Sequence, residues 1–174
     1  KWLRLRDRPA LHFDWLSLDV GAVSRPSATG MPIKPLEASL TFLEREDPSD
    51  PKPLRVIGAG AAGLEVVFAL RRRWPQRALQ LQQRSGQLDP ALQQVLKQAR
   101  ITLIDDNSDH RGPCLLCTGS QGPAWLATTG LPLDPDGRIR TDHHLRVDGH
   151  PSLFASGDCA VISAEPRPAS GVWA

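Results

Sequence analysis

The sequence predicts an α/β fold, a parallel sheet with crossover helices, and three observations predict it. Residues 54–104 alternate short apolar runs with stretches of helical period in the order strand, helix, strand, helix, strand, the signature of parallel strands joined by crossover helices. The first of those strands runs into Gly58-Ala-Gly60-Ala-Ala-Gly63, a glycine turn at a strand-to-helix junction. Ahead of it, Glu46-Asp-Pro-Ser-Asp-Pro-Lys-Pro53 is too polar and too rich in proline for either element, and a domain boundary is expected there.

The elements follow from local signals. Trp2, Leu3 and Leu5 among Arg4, Arg6 and Asp7, then Arg8-Pro9 and Leu11 to Val20, read as a hairpin leading into a buried strand that Gly21 ends. Residues 24–35 read as a loop and Leu36 to Glu44 as a short helix. Leu54 to Ile57 is the first strand of the alternating region, Leu64 to Arg73 is helical, and Trp74-Pro75 stops it. Ala78 to Gln83 is the second strand. Asp89 can cap, and Pro90 can start, a helix with Leu92, Val95, Leu96 and Ala99 on one face. Ile101 to Ile104 is the third strand, residues 105–113 a polar loop, and Cys114 to Thr118 a further strand. Turn chemistry surrounds Asp134-Pro-Asp-Gly137, and Leu153 to Ser156 is the last buried strand.

Composition narrows the function classes. The chain has 174 residues, 40% of them hydrophobic, enough for a real core and too apolar for a disordered tail. Its net charge is +2, too balanced for the electrostatic footprint of a nucleic-acid binder. The longest apolar stretch, Val56 to Leu70, contains Glu65 and is shorter than the roughly 20 residues a bilayer span needs. Lys1 to Arg8 does not resemble a signal peptide. The three cysteines, Cys114, Cys117 and Cys159, form no closed disulfide set, which suits a reducing compartment and a cytoplasmic placement.

The glycine turn carries the chemistry. In a dinucleotide-binding domain of Rossmann type the first glycine permits the tight turn, the second admits a pyrophosphate to the backbone, and the third lets helix and strand pack closely. The helix N-terminus then offers unpaired N–H groups to the phosphates. Gly58, Gly60 and Gly63 occupy those places. Gln83, at the end of the second strand, stands where an Asp or Glu normally holds the ribose hydroxyls. It keeps some hydrogen bonding without the charge, and Arg84 beside it would suit a 2′-phosphate. NAD and NADP are therefore expected to bind with similar affinity, or NADP better, unless Asp105 or Asp106 reaches the ribose in place of Gln83.

Gly58 to Glu65 resembles the NAD(P)H-domain signature of the pyridine nucleotide-disulfide oxidoreductase superfamily, in which a glutamate follows the glycine turn by two residues. Leu115-Leu-Cys-Thr118-Gly119 is similar to the superfamily's Ala-Thr-Gly strand end, and Leu153-Phe-Ala-Ser-Gly157-Asp158-Cys-Ala160 to its flavin-binding Gly-Asp. Phe13 to Gly21 and Leu131 to Asp142 complete the order. Leu18-Asp-Val-Gly21 and Arg167-Pro-Ala-Ser-Gly-Val172 further resemble NADH dehydrogenase-like flavoproteins, closest to the flavoprotein half fused to a selenide, water dikinase.

That resemblance implies a fragment of an FAD-dependent NAD(P)H oxidoreductase. Residues 51–119 would bind the nicotinamide nucleotide, while residues 1–50 and 120–174 would be parts of an FAD domain. Gly58, Gly60, Gly63, Glu65, Gln83, Arg84, Gly119, Gly157 and Asp158 become the cofactor-binding candidates, with Asp158 on the FAD ribitol. No catalytic side chain is nominated, because hydride would pass from nicotinamide to flavin. The implied partners are the nicotinamide nucleotide, the rest of the flavin domain and a fused kinase domain, with peripheral membrane attachment kept open beside the cytoplasm. A nucleotide-sensing or structural module that regulates a fused enzyme is the alternative. Residues 1–50 contain no glycine turn for the FAD pyrophosphate, and only nine residues separate Ile104 from Cys114 where the superfamily inserts a β-meander.

Other residues have plainer expectations. Cys114 and Cys117 are three apart on a strand and point to opposite faces, so they read as buried thiols rather than a redox pair. Asp158 can also cap a helix, and Glu65 can complement a helix N-terminus. His12, His110, His143, His144 and His150 show no metal-ligand spacing and read as surface residues.

Overall fold

The computed structural model describes residues 1–25, 30–83, 88–105 and 112–167. They fall into a central unit, Ser24–Gly119, and a split unit made of Lys1–Val23 with the chain from Ser120 onward. The first stretch of the split unit carries β1 (Trp2–Leu5), β2 (Arg8–His12) and β3 (Leu16–Leu18), and β4 (Val23–Ser24) lies where the chain crosses into the central unit. The central unit runs β5 (Met31–Pro32), α1 (Leu36–Glu44), β6 (Leu54–Ile57), α2 (Ala61–Arg73), β7 (Leu79–Gln82), α3 (Pro90–Gln98), β8 (Ile101–Ile104) and β9 (Cys114–Leu116). After β10 (Ser120–Gln121) come a 3-10 turn at Ala124–Thr128, β11 (Ile139–Thr141), β12 (Leu153–Ala155), a second 3-10 turn at Gly157–Cys159 and β13 (Ala160–Ile162).

The central unit is the expected parallel sheet, in the order β5-β9-β6-β7-β8 with every pairing parallel. β6 lies between β9 and β7, paired along both edges, and its successive residues Leu54, Arg55 and Val56, which point to alternate faces of the sheet, are all buried. Val56 sits in register with Leu81 on one side and Leu115 on the other. With Leu54, Val67 and Leu70, these residues form a core sealed from water. The same strand buries a charge: Arg55 donates to the side-chain oxygens of Gln80 and Gln82 on β7, both at 3.1 Å. Two glutamines in an otherwise apolar strand thus answer the buried guanidinium.

Local signals set most helix ends. α1 occupies the expected residues, and α3 begins at Pro90 behind Asp89, whose Oδ1 accepts from the N–H of Ala91 at 2.7 Å. α2 starts at Ala61, three residues ahead of the expected Leu64, because Gly60 serves as its extended N-cap and Ala61-Ala62 are good helix formers. Its C-terminus is closed by its own residue Arg71, which donates to the carbonyls of Trp74, Pro75, Arg77 and Arg100. On α3, Leu96 is buried as expected, but Val95 is exposed and leaves the core face.

Two expectations need correcting. The segment at residues 46–53 lies inside the central unit and is tied down there. Arg77, its side chain fully buried, holds Glu46 Oε2 at 3.3 Å, Asp50 Oδ2 at 3.7 Å and the Asp50 carbonyl. Burial pushes the Glu46 carboxyl above its ordinary range, with Arg77 opposing the shift. Nor is Leu11 to Val20 one buried strand. β1 and β2 form the expected hairpin, but β2 is exposed along its whole length, and the chain breaks at Phe13-Asp-Trp15 before β3. Trp15 is 67% exposed.

In the split unit, β3 and β12 pair in parallel, as do β11 and β13. Leu126, Ile139, Val147, Leu153 and Ala155 form its core. The turn at Asp134–Gly137 is present as expected, with Asp134 Oδ1 accepting from the N–H groups of Asp136 and Arg138.

Candidate nucleotide-binding site

The site candidates of the central unit gather at the carboxyl ends of β6 and β7, where ligands bind in open α/β sheets. Gly58 leaves β6 with a φ of +110° and donates its N–H to the carbonyl of Gln82 at 2.9 Å. A Cβ there would lie 2.6 Å from the carbonyl oxygen of Cys117, whose own N–H is bonded to the Ile57 carbonyl. Gly58 is thus required twice, by its φ and by the neighbouring backbone. Gly63 is required by distance alone, since a Cβ on it would sit 1.7 Å from the carbonyl oxygen of Gly58. Gly60 faces open space, with nothing within 4 Å of an added Cβ. This is the position at which a ligand can approach the backbone.

The N-terminus of α2 has no side-chain cap and no acidic residue in its first turn. Ala61 and Ala62 are exposed, so the first N–H groups of the helix, with their partial positive charge, are shielded by no side chain of their own turn. Glu65 is exposed one turn further on, outside the first turn where it would complement the helix end.

Gln83 follows β7 and is half-buried. Its N–H donates to the Ile104 carbonyl at 3.0 Å, and its side-chain Nε2 donates to Asp105 Oδ1 at 2.9 Å. Its Oε1 is buried and has no hydrogen-bond donor among the described residues. A ribose hydroxyl is a donor of the kind this oxygen lacks. Arg84 and Asp106 lie outside the described residues. Gly119, with a φ of +80°, is exposed just past β9 and beyond the Cys117 carbonyl that touches Gly58.

Gly157 and Asp158 belong to the split unit. Gly157 has a φ of +68°, and a Cβ on it would meet Asp19 Oδ1 at 2.5 Å. Asp158 is half-buried in the 3-10 turn that follows β12. Cys159 behind it is buried, donates to the Ser156 carbonyl at 3.1 Å and accepts from the N–H of Val20.

The thiols bear on redox chemistry. Cys114 and Cys117 are free and half-buried rather than fully buried. Burial pushes the Cys117 thiol up to about 11 and raises Cys114 as well, although Arg55 opposes the second shift. Neither offers a thiolate at neutral pH. Of the described histidines, His12, His143 and His144 are exposed and His150 is half-buried, and His110 lies outside the described residues.

Sequence reasoning held Asp105 only in reserve, and it did not find the Cys117 carbonyl or the Arg55–Gln80–Gln82 group. The sequence signal for the last was a charge and two amides inside apolar strands.

No family model matches the sequence. Ferroptosis suppressor protein 1 of Taeniopygia guttata is 25% identical over 203 residues, covering 95% of this chain and 54% of that protein. The protein of the same name from Xenopus tropicalis is 25% identical over 155 residues, covering 68% and 41%. The chain thus spans about half the length of the curated relatives it matches. Among solved structures, an FAD-dependent pyridine nucleotide-disulphide oxidoreductase from Desulfovibrio vulgaris superposes with a TM-score of 0.67 at 22% identity, covering 92% of this chain and 49% of that one. The water-forming NADH oxidase of Lactobacillus brevis bound to NADH superposes with a TM-score of 0.66 at 20% identity, covering 87% and 40%. The chain therefore shares the Rossmann-like fold of these oxidoreductases.

Proposed function

We propose that the chain is part of an FAD-dependent NAD(P)H oxidoreductase and that its central unit holds the nicotinamide nucleotide. The observation that carries this reading is the glycine turn, with its open face at Gly60 and the uncapped N-terminus of α2 beside it. The N–H groups of the first turn of α2 would hold the pyrophosphate. Gln83 Oε1 would accept from a ribose hydroxyl, and the close packing of Gly63 on Gly58 keeps helix and strand in place around the ligand. The similarity to solved oxidoreductases, one of them bound to NADH, supports the same reading.

In the split unit, Asp158 behind Gly157 suits a ribitol hydroxyl, and the half-buried carboxyl is a ready acceptor for it. FAD, when bound, supplies the acceptor for the hydride. The chain's own residues then bind and orient, and none has to move a proton. The run Leu18-Asp-Val-Gly21 supports the finer placement beside flavoproteins fused to a selenide, water dikinase. The cysteine content supports a cytoplasmic setting, and among the described residues no helix is long and apolar enough to cross a membrane.

Calorimetric titration with NADH and NADPH tests the site. Gly60→Val fills the open glycine position of the turn, so affinity should fall by about tenfold or more while stability changes by no more than about 1 kcal/mol, the cost of a poorer N-cap. Unchanged affinity in that variant would place the ligand elsewhere. A second reading, a nucleotide-sensing module without redox turnover, draws on the amide at position 83 where a carboxylate is usual. Bleaching of flavin absorbance in the full-length protein on addition of NADH separates the two.

A further inference from the structure

The carboxyl ends of β7 and β8 hold an arrangement that neither residue reveals alone. Gln83 directs its amide nitrogen at Asp105 Oδ1, 2.9 Å away, and its own backbone N–H is bonded to Ile104, the residue before Asp105. Two hydrogen bonds thus bind the strand ends side by side, one of them to a carboxylate and so charge-assisted. The residue before Gln83 supplies the carbonyl that receives the N–H of Gly58. The Gln83–Asp105 pair therefore follows directly on the glycine turn, where the ribose next to the pyrophosphate would lie if the nucleotide reading above is right.

We infer that Asp105, acting through Gln83, makes this site select NADH over NADPH. The inference rests on the proposed nucleotide site and adds a specificity device to it. An unrestrained glutamine amide can turn either way, accepting from a hydroxyl or donating to a phosphate. Here the turn is blocked, because reversing the amide would set Oε1 against the carboxylate of Asp105. The amide can therefore offer the incoming nucleotide only Oε1, which is buried and has no donor among the described residues. The ribose of NADH brings hydroxyl donors. A 2′-phosphate brings acceptor oxygens and negative charge, which Oε1 cannot bond and Asp105 repels. The acid missing from the end of β7 is supplied one strand over, with the glutamine as its intermediary. Asp105 is exposed, so the repulsion is softened by solvent, while the pinned amide is not.

A purely structural tie between the strand ends makes a different forecast, since loosening it would weaken both nucleotides alike. The ratio of the two dissociation constants separates the roles. For the unaltered chain we expect NADH to bind at least about tenfold more tightly than NADPH, and in Asp105→Ala, where charge and pin both go, the two should come within about threefold. Asp105→Asn keeps an acceptor for Gln83 and removes the charge, so its ratio should fall between. Asp105→Glu should recover most of the preference. Because Asp105 is exposed, these variants should melt close to the parent, which thermal unfolding checks. Comparable affinities for both nucleotides in the unaltered chain, or a preference unchanged in Asp105→Ala, overturn this inference and leave the nucleotide site standing. Failure of the unaltered chain to bind either nucleotide removes the site itself and the inference with it.

Discussion

Three glycines within six residues do three different things. Gly58 turns with a φ that side chains rarely adopt, Gly63 lies against a carbonyl oxygen, and Gly60 leaves a space. The distinction decides what a substitution does. A Cβ on Gly63 would stand 1.7 Å from the Gly58 carbonyl oxygen, and Gly58 is itself tied to β7 through its N–H on the Gln82 carbonyl. Gly63→Ala should therefore destabilise the protein by about 3 kcal/mol or more, above the usual overpacking cost because backbone opposes backbone. The midpoint of denaturant unfolding measures it, and a shift no larger than that of Gly60→Val would refute the geometry. The spacing of the turn was legible in the sequence, but the separate demands were not. Whether a glycine meets open space or a carbonyl depends on residues such as Cys117, far along the chain. Gln83 shows the same limit. Its position at a strand end could be read from the sequence, while its bond to Asp105 depends on the register of β7 against β8.

At the scale of elements, what rests on neighbours in sequence was readable and what rests on neighbours in space was not. α3 begins where Asp89-Pro90 says it should. Its buried stripe is narrower than the apolar pattern, because Leu96 faces the core and Val95 does not. The segment at residues 46–53 has the composition of a linker, yet a buried arginine from the other end of the α2–β7 connection holds it. Removing that arginine leaves Glu46, largely buried, without its cation. Arg77→Ala should cost about 3 kcal/mol, the low end for breaking a buried pair because Glu46 and Asp50 retain some access to water. Arg77→Lys should recover part of the loss but not the bond to the Asp50 carbonyl. Thermal melting of the two variants gives the comparison, and a drop of less than about 1 kcal/mol in Arg77→Ala would show that the clamp is ornamental.

For the molecule as a whole, the parallel sheet followed from the alternation of short elements joined by crossover helices, whereas its order, with β9 beside β6 and β5 beyond it, did not. The division into units was less legible, because the central unit reaches back to Ser24 through β5 and α1, which carry no motif. The same division bears on flavin. The glycine turn of this chain lies in the central unit, and the split unit offers Asp158 and Gly157 without a glycine turn of its own. With no second glycine turn in the sequence to receive the FAD pyrophosphate, this chain, purified alone, should be colourless. Stoichiometric flavin absorbance in the visible would show that the split unit holds the cofactor by other contacts.

The pairing of β3 with β12 also sets an order of events. Leu16 leaves the ribosome before the central unit does, and its partner Leu153 emerges only after that whole unit has been made. At ordinary translation speeds the interval from Ser120 to Leu153 alone is on the order of a few seconds, long compared with the folding of many α/β domains. The central unit can therefore be finished while β3 still waits with its backbone unpaired, and by folding it shortens the loop that the late pairing has to close. The nascent chain carries Phe13, Leu16 and Leu18 without the core they pack against through that wait, so their exposure to misassociation outlasts the folding of the central unit.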